Sequence, residues 1–181
     1  MAVITAGADL AERRVQVTDL RQAWIECYQS ERDGLFNYLR GLAHDTATAE
    51  DLLHDVFVSV FTTRHDLPVS ERKPLLYAAA RNKAMSHFRR RRVRVGEFNG
   101  AEALLPHPVA DTSVEERDES RRAWSLLGTL PSEQQEVIYL RLHGGLTFDD
   151  IATVAGKPTG TVASLYRRAL GVLRERMEKS T

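Results

Sequence analysis

Apolar residues recur at helical spacing along most of the chain, and no stretch shows the alternation that is typical of a strand. The clearest stripe lies between residues 44 and 64, where apolar side chains recur every three to four positions. Such a stripe predicts an amphipathic helix that packs against a core. Its apolar positions are Leu52, Leu53, Val56, Phe57, Val60 and Phe61. Similar stripes surround Trp24, follow Pro74 and follow Pro131, with Gly34 as a candidate break, so the pattern predicts an all-α fold.

The helical pattern stops over residues 95–112, where glycines and prolines disfavour regular structure. A structureless run of this length is unusual inside a compact domain. We therefore predict two helical domains, residues 19–94 and 113–181, joined by a linker over 95–112. Residues 1–18 show little pattern and are predicted to form a frayed tail.

The second domain has the spacing of a helix-turn-helix. Thr147 is predicted to cap a short helix, and the small Ala152 lies four residues before Gly156. A left-handed turn costs glycine least, and Val162 follows where the second helix must return to the core. The second helix of this motif enters the major groove, where hydroxyl and guanidinium groups contact bases and phosphates. The predicted outward residues are Thr159, Thr161, Ser164, Arg167 and Arg168. The alternative is a plain helical hairpin with a polar face.

Charge is segregated along the chain, although 25 basic and 25 acidic residues give a formal net charge of zero. Residues 81–94 contain many cations and no acid, whereas residues 111–119 are mostly acidic. The basic run could contact nucleic acid, lie on a membrane surface or end a solvated helix. A membrane surface needs bulky apolar anchors, which the interleaved residues do not provide. A helix end needs only one or two cations, so the run favours phosphate contacts and counterion release. The candidates are Arg81, Asn82, Lys83, His87, Arg89, Arg90, Arg91 and Arg92.

The sequence offers little for catalysis, metal binding or secretion. The single cysteine, Cys27, cannot form an internal disulfide, which suits a reducing cytoplasm. The N-terminus lacks the pattern of a secretory signal, and no apolar run is long enough to span a membrane. No nucleophile–base set or Gly-rich phosphate loop is apparent, so we expect no catalytic activity and no cofactor. Asp51, His54 and Asp55 have metal-compatible spacing but no second ligand cluster, and a solvated or protein-docking face is expected instead.

The order of these segments resembles the sigma-70 family of RNA polymerase initiation factors, and specifically its extracytoplasmic-function (ECF) group. The resemblance covers about Trp24 to Met177. TAEDLLHDVFVSVF is similar to the region 2 helix that docks on the clamp helices of the polymerase β′ subunit. LLYAAARNKAMSHFRRRR is similar to the following promoter −10 helix. The segment from Leu127 to Arg174 is similar to region 4, which binds the −35 element and the β flap.

The resemblance implies a cytoplasmic sigma factor that binds core RNA polymerase and promoter DNA, directs promoter recognition and DNA melting, and does not insert into membranes. It implies that the basic candidates meet the −10 DNA and the outward helix-turn-helix residues the −35 DNA. The loop Thr62 to Lys73 would capture an unstacked base. An anti-sigma partner is also implied, since many relatives have one. The implied docking residues are Asp51, Leu52, His54, Asp55 and Phe57, of which Leu52 and Phe57 are expected to shape the core beneath.

Some positions depart from the family pattern. Leu75 and Leu76 stand where a tryptophan is frequent, and Ser86 stands where an aspartate is frequent. Ala163 and Leu165 replace cations of the recognition helix, which should weaken phosphate contacts. The alternative function is a helix-turn-helix regulator that acts without a polymerase holoenzyme. Such a regulator has no need of a docking helix followed by an Arg-rich helix.

Overall fold

The computed structural model describes residues 2–43, 45–63, 68–95 and 124–178, with side chains from residue 22 onward except those of residues 69–70 and 92–95. The described residues are almost all helical and contain no strand, which confirms the all-α prediction. Residues 124–128 are also helical. The main helices are α1 (Ala2–Ala43), α2 (Thr46–Thr63), α3 (Val69–Val95), α4 (Ser132–Leu142), α5 (Phe148–Ala155) and α6 (Thr159–Glu178).

The N-terminal domain is formed by α1, α2 and α3, each of which packs against the other two. Burial of the predicted α2 stripe explains this packing, because each buried aliphatic side chain contributes about 1.5–3 kcal/mol. Leu52, Leu53, Val56 and Val60 are buried as predicted, whereas Phe61 is exposed. Facing them are the buried residues Leu35, Leu39, Leu42, Leu76, Ala80, Ala84 and Phe88.

Helix α1 differs from its prediction in two respects. It runs without a break from Ala2 to Ala43, so Gly34 does not separate two helices, and residues 2–18 are helical rather than a frayed tail. Cys27, on the same helix, is half-buried, and this burial raises the pKa of its thiol.

The first turn of α2 is capped, and α3 begins earlier than the sequence prediction. Asp45 precedes α2 and accepts a 2.9 Å hydrogen bond from the Thr48 amide, as an N-cap residue does. Helix α3 begins at Val69, before Pro74. Residues 69–73 are therefore helical, which leaves Pro68 as the only described non-helical residue of the predicted base-capturing loop.

In the C-terminal domain, α4 packs against both α5 and α6. Val137, Ile138 and Leu140 are fully or almost fully buried, and α4 ends at Leu142, before Gly144 and Gly145. Gly145 has a φ of 58°, a left-handed conformation that glycine adopts without strain. The predicted linker, apart from Val95, lies outside the described residues, and so does the N-terminal part of the second predicted domain.

The two domains are in contact: α3 packs against α5, and α1 packs against α4. One buried group joins them, since the Glu136 carboxylate of α4 meets both Arg81 of α3 and Tyr38 of α1. At the edge of this contact, the Tyr77 hydroxyl lies 3.4 Å from the carbonyl oxygen of His143.

Candidate nucleic-acid and protein interfaces

The turn of the helix-turn-helix has the geometry that the sequence predicts. Thr147 caps α5 through a reciprocal pair of 3.1 Å hydrogen bonds with Asp150, a capping box. Gly156 ends the helix with a φ of 65° and a ψ of 37°. The next amide, that of Lys157, donates to the carbonyl of Ala152. These contacts fix the angle at which α6 leaves the turn.

Helix α6 separates an inward apolar side from an outward polar side. Val162 and Ala169 are fully buried, and Phe148 of α5 contacts Tyr166 edge to face with ring centroids 5.4 Å apart. The predicted −35 residues lie on the other side. Thr159, Thr161, Arg167 and Arg168 are exposed, and Ser164 is half-buried. The Thr159 hydroxyl donates to Asp149 across a 2.9 Å hydrogen bond, which positions the first residue of the helix.

Leu165 corrects one expectation about this surface. Its side chain is only 8% exposed and belongs to the core. A cation at this position of α6 would point away from the outward face, so the leucine does not remove a phosphate contact there. Ala163 is half-buried, and the expected weakening therefore concerns that position alone.

Helix α3 carries its cations on the sides that do not pack in the domain core. Ala80, Ala84 and Phe88 are buried, and the predicted −10 residues lie around them. Asn82, Arg89, Arg90 and Arg91 are exposed, while Lys83 and His87 are half-buried. The Arg92 side chain lies outside the described ones. The helix continues to Val95, so the whole arginine run lies within α3. We refer to Arg89, Arg90 and Arg91 as the basic rod of α3.

Arg81 is not grouped with the other −10 candidates in this structure. Its Nε atom donates to Glu136 at 2.8 Å, and Nη2 donates to the second carboxylate oxygen at 3.4 Å. Its side chain is half-buried at the contact between the two domains. The group that the sequence assigns to DNA is therefore held by a carboxylate of the other domain.

The polar face of α2 is exposed in the described structure. Asp51, His54 and Asp55 are exposed. Leu52 is buried beneath them and supports the face from below, as expected. Phe57 is half-buried, with its ring centroid 4.6 Å from that of Tyr28 in an edge-to-face contact.

Two exposed apolar residues of α2, Val58 and Phe61, continue this face and were not predicted to belong to it. The spacing from His54 could have predicted this, because residues four and seven positions later lie on the same side of a helix. The sequence analysis instead assigned Phe61 to the core stripe. We refer to Asp51, His54, Asp55, Val58 and Phe61 as the α2 face.

The described part of the chain offers little for metal binding or membrane insertion. No group of three His, Cys, Asp or Glu residues in these ranges could hold a metal ion. No described helix is long and apolar enough to cross a membrane. What the described residues offer is basic and hydroxyl groups for DNA on α3 and α6, and a mixed acidic and apolar face on α2.

Two family models match the chain, in the order that the sequence suggests. Sigma-70 region 2 matches residues 27–94, which include α2 and all but the last residue of α3. Sigma-70 region 4 matches residues 126–175, which include the helix-turn-helix.

Named relatives agree with these matches. The chain is 25% identical to the ECF RNA polymerase sigma factor SigK of Mycobacterium tuberculosis, over 98% of this chain and 97% of that protein. It is 29% identical to the ECF RNA polymerase sigma factor BldN of Streptomyces coelicolor, over 83% of this chain and 59% of that protein.

Solved structures share the fold. The structure of CnrH in complex with the cytosolic domain of CnrY has a TM-score of 0.65 and 20% identity, over 93% of this chain and 98% of that one. RpoE in complex with the anti-sigma factor NepR from Bartonella quintana has a TM-score of 0.59 and 24% identity, over 94% and 97% of the two chains. The chain belongs to the sigma-70 family of RNA polymerase sigma factors, which direct transcription initiation, and to its ECF group.

Proposed function

We propose that this protein binds core RNA polymerase through the α2 face and directs it to promoters with two separate DNA surfaces. The observation that carries this proposal is the coexistence of three surfaces on one chain: the α2 face, the basic rod of α3 and the outward side of α6. A regulator that used only the helix-turn-helix would leave the first two without a role.

The α2 face has the composition of a protein-docking surface. Exposed Asp51 and Asp55 would steer a cationic partner into place. Val58 and Phe61, which lie within the same stripe, would supply the apolar contact that is buried on binding. Its partner would be the clamp helices of the β′ subunit, as the family resemblance implies.

Some residues of the DNA surfaces would bind backbone phosphates and position the protein, and others would contact bases. Arg89, Arg90 and Arg91 lie in the last turns of α3 and would neutralise backbone phosphates, which gives salt-dependent affinity. Asn82, about two turns earlier, has an amide that can hydrogen-bond to an unpaired base. On α6, Thr161 and Arg167 would enter the major groove at the −35 element, and the C-terminal domain would also contact the β flap.

The proposed role requires no catalysis by this chain, no cofactor and no resident metal. The work of opening DNA would come from binding energy at the two promoter surfaces and from the polymerase itself. The protein would act in the cytoplasm with the transcription machinery. An anti-sigma factor is a further proposed partner, since a structure with the same fold is an RpoE bound to the anti-sigma factor NepR.

The docking assignment is tested by charge reversal on the α2 face. Asp51→Arg combined with Asp55→Arg should reduce affinity for core polymerase by at least about tenfold, because charge repulsion replaces steering. Glu175→Arg with Glu178→Arg is the matched control, since both residues are exposed on α6. Affinity would be measured without DNA by fluorescence anisotropy of labelled protein.

The outcomes separate the two candidate functions. Loss of core binding in the α2 pair, with the control unchanged, supports the docking face. Equal affinities in both pairs would remove the α2 assignment. A wild-type protein that binds duplex DNA tightly but never associates with core would favour the regulator.

A further inference from the structure

A hydrogen bond joins the two helices of the helix-turn-helix at the edge of the surface that is assigned to DNA. The hydroxyl of Thr159, the first residue of α6, donates at 2.9 Å to a carboxylate oxygen of Asp149, in the first turn of α5. Both residues are exposed, so the bond does not serve to satisfy a buried polar group. We refer to Asp149 and Thr159 as the hydroxyl–carboxylate pair.

The direction of this bond determines what the pair can offer to a ligand. An ionised carboxylate only accepts hydrogen bonds, whereas a hydroxyl has one proton to donate and two lone pairs that accept. The Thr159 proton is committed to Asp149, and the remaining capacity of both side chains is acceptor capacity. A threonine hydroxyl without such a partner could rotate and donate instead.

The side chains around the pair do not reverse this character. A shallow concavity between α5 and the start of α6 is lined by the pair together with Thr153, Lys157 and Pro158. The Thr153 hydroxyl donates at 3.0 Å to the carbonyl oxygen of Asp149, so its proton is also committed. The Lys157 ammonium lies 2.6 Å from a carboxylate oxygen of Glu133, which offsets its charge. The concavity therefore presents mainly acceptor groups.

A surface of acceptors does not suit the DNA backbone but does suit some base edges. Phosphate oxygens are acceptors themselves, and their negative charge repels a carboxylate. In the major groove, guanine and thymine present acceptor oxygens, whereas cytosine and adenine present an amino group that donates. The hydroxyl–carboxylate pair is therefore complementary to an amino group.

Cytosine matches the pair better than adenine does. Adenine places the N7 acceptor beside its amino group, whereas the N4 amino group is the hydrogen-bonding group that cytosine presents in the major groove. The Asp149 carboxylate would repel the N7 lone pair of adenine, and it meets no such group on cytosine.

We propose that Thr159 reads a cytosine of the −35 element by accepting a hydrogen bond from its N4 amino group, and that Asp149 makes this reading selective. The inference rests on the proposed function, since that function assigns the outward side of α6 to the −35 DNA. Asp149 is a positioning residue, because it acts through the proton of Thr159. It contributes discrimination and not affinity, since its charge opposes the phosphates of every sequence.

Base selection from a library of random duplexes tests the role of Asp149. The protein would be selected both as the free chain and in complex with core polymerase, and the bound DNA would be sequenced. The wild type should enrich cytosine at one position of the upstream element. Asp149→Asn should reduce this enrichment at least about fivefold, because the amide can donate to Thr159 and leave its proton available for guanine or thymine. Glu175→Gln is the matched control, since it removes one exposed negative charge elsewhere in the same domain.

Substitutions of Thr159 separate base reading from a purely structural role. Thr159→Val keeps the shape of the side chain and removes the hydroxyl, so it should lose the cytosine preference. Thr159→Ser keeps the hydroxyl and should retain that preference. The change should be confined to one position of the element, whereas a displaced α6 would alter the bases selected at several positions. Circular dichroism would verify that each variant is folded.

The results distinguish failure of the inference from failure of the proposed function. Cytosine enrichment that is absent in the wild type, or unchanged in Asp149→Asn and Thr159→Val, would overturn the inference while core binding still stands. Equal loss of the preference in Glu175→Gln and Asp149→Asn would also overturn it, because overall charge would then explain the effect. A free chain that shows the expected pattern, but never associates with core polymerase, would support the reading and remove the polymerase function.

Discussion

The left-handed conformation of Gly156 allows the change in stability on substitution to be worked out from the structure. Its φ of 65° is costly for a residue with a Cβ atom, by about 1–2 kcal/mol. A Cβ placed there would meet nothing within 4 Å, so no steric clash adds to this cost. Alanine also reduces the entropy of the unfolded chain, which offsets about 0.4–1 kcal/mol. The backbone cost is the larger of the two, and Gly156→Ala should destabilise the protein by about 1 kcal/mol.

Urea denaturation followed by circular dichroism would measure this difference. Gly171→Ala serves as the control, because it sits inside α6 and should stabilise the chain by up to about 1 kcal/mol. Gly156→Asn should lie between Gly156→Ala and the wild type, since asparagine tolerates the left-handed region better than alanine. If Gly156→Ala and Gly171→Ala had the same midpoint, the conformational account of the turn would be refuted.

Three further predictions concern single side chains. The buried Tyr139 hydroxyl has no hydrogen-bond partner among the described residues, so Tyr139→Phe should leave the free energy of unfolding unchanged or raise it by up to about 1 kcal/mol; a loss above 1 kcal/mol in urea denaturation would contradict this. Burial and nearby Arg40 lower the pKa of His143 below 6.5. The stability that the neutral imidazole contributes is therefore fully present above pH 6.5 and declines as the pH falls below it. Melting temperatures at pH 5 and 7.5 should therefore differ less in His143→Gln than in the wild type, and an equal difference would exclude this group. Phe61→Ala should weaken binding to core polymerase without loss of stability, because the ring is 44% exposed; Leu170→Ala, at 42% exposure, is the control for the anisotropy assay.

Local patterns predicted most of the elements that shape the candidate surfaces. The stripe of α2, the cap at Thr147, the turn at Gly156 and the return of Val162 to the core all follow from neighbours within a few residues. Such features are set by helical periodicity and backbone conformation, which a sequence displays directly.

Long-range contacts account for what the local sequence patterns did not predict. Gly34 is a residue type that often interrupts helices, but here it allows the other domain to pack closely against α1. Arg81 has the context of a DNA contact, whereas a carboxylate far away in sequence holds it. No periodicity encodes these partners, because they arise only when the two domains come together.

Transcription by the reconstituted holoenzyme tests the central claim most directly. The purified chain would be mixed with core RNA polymerase and a library of genomic fragments, and the 5′ ends of the transcripts would be mapped. We predict transcripts from a limited set of start sites that share upstream elements, and loss of these transcripts when Asp51→Arg and Asp55→Arg are combined. Transcription indistinguishable from that of core polymerase alone, with a folded protein that still binds DNA, would contradict the account.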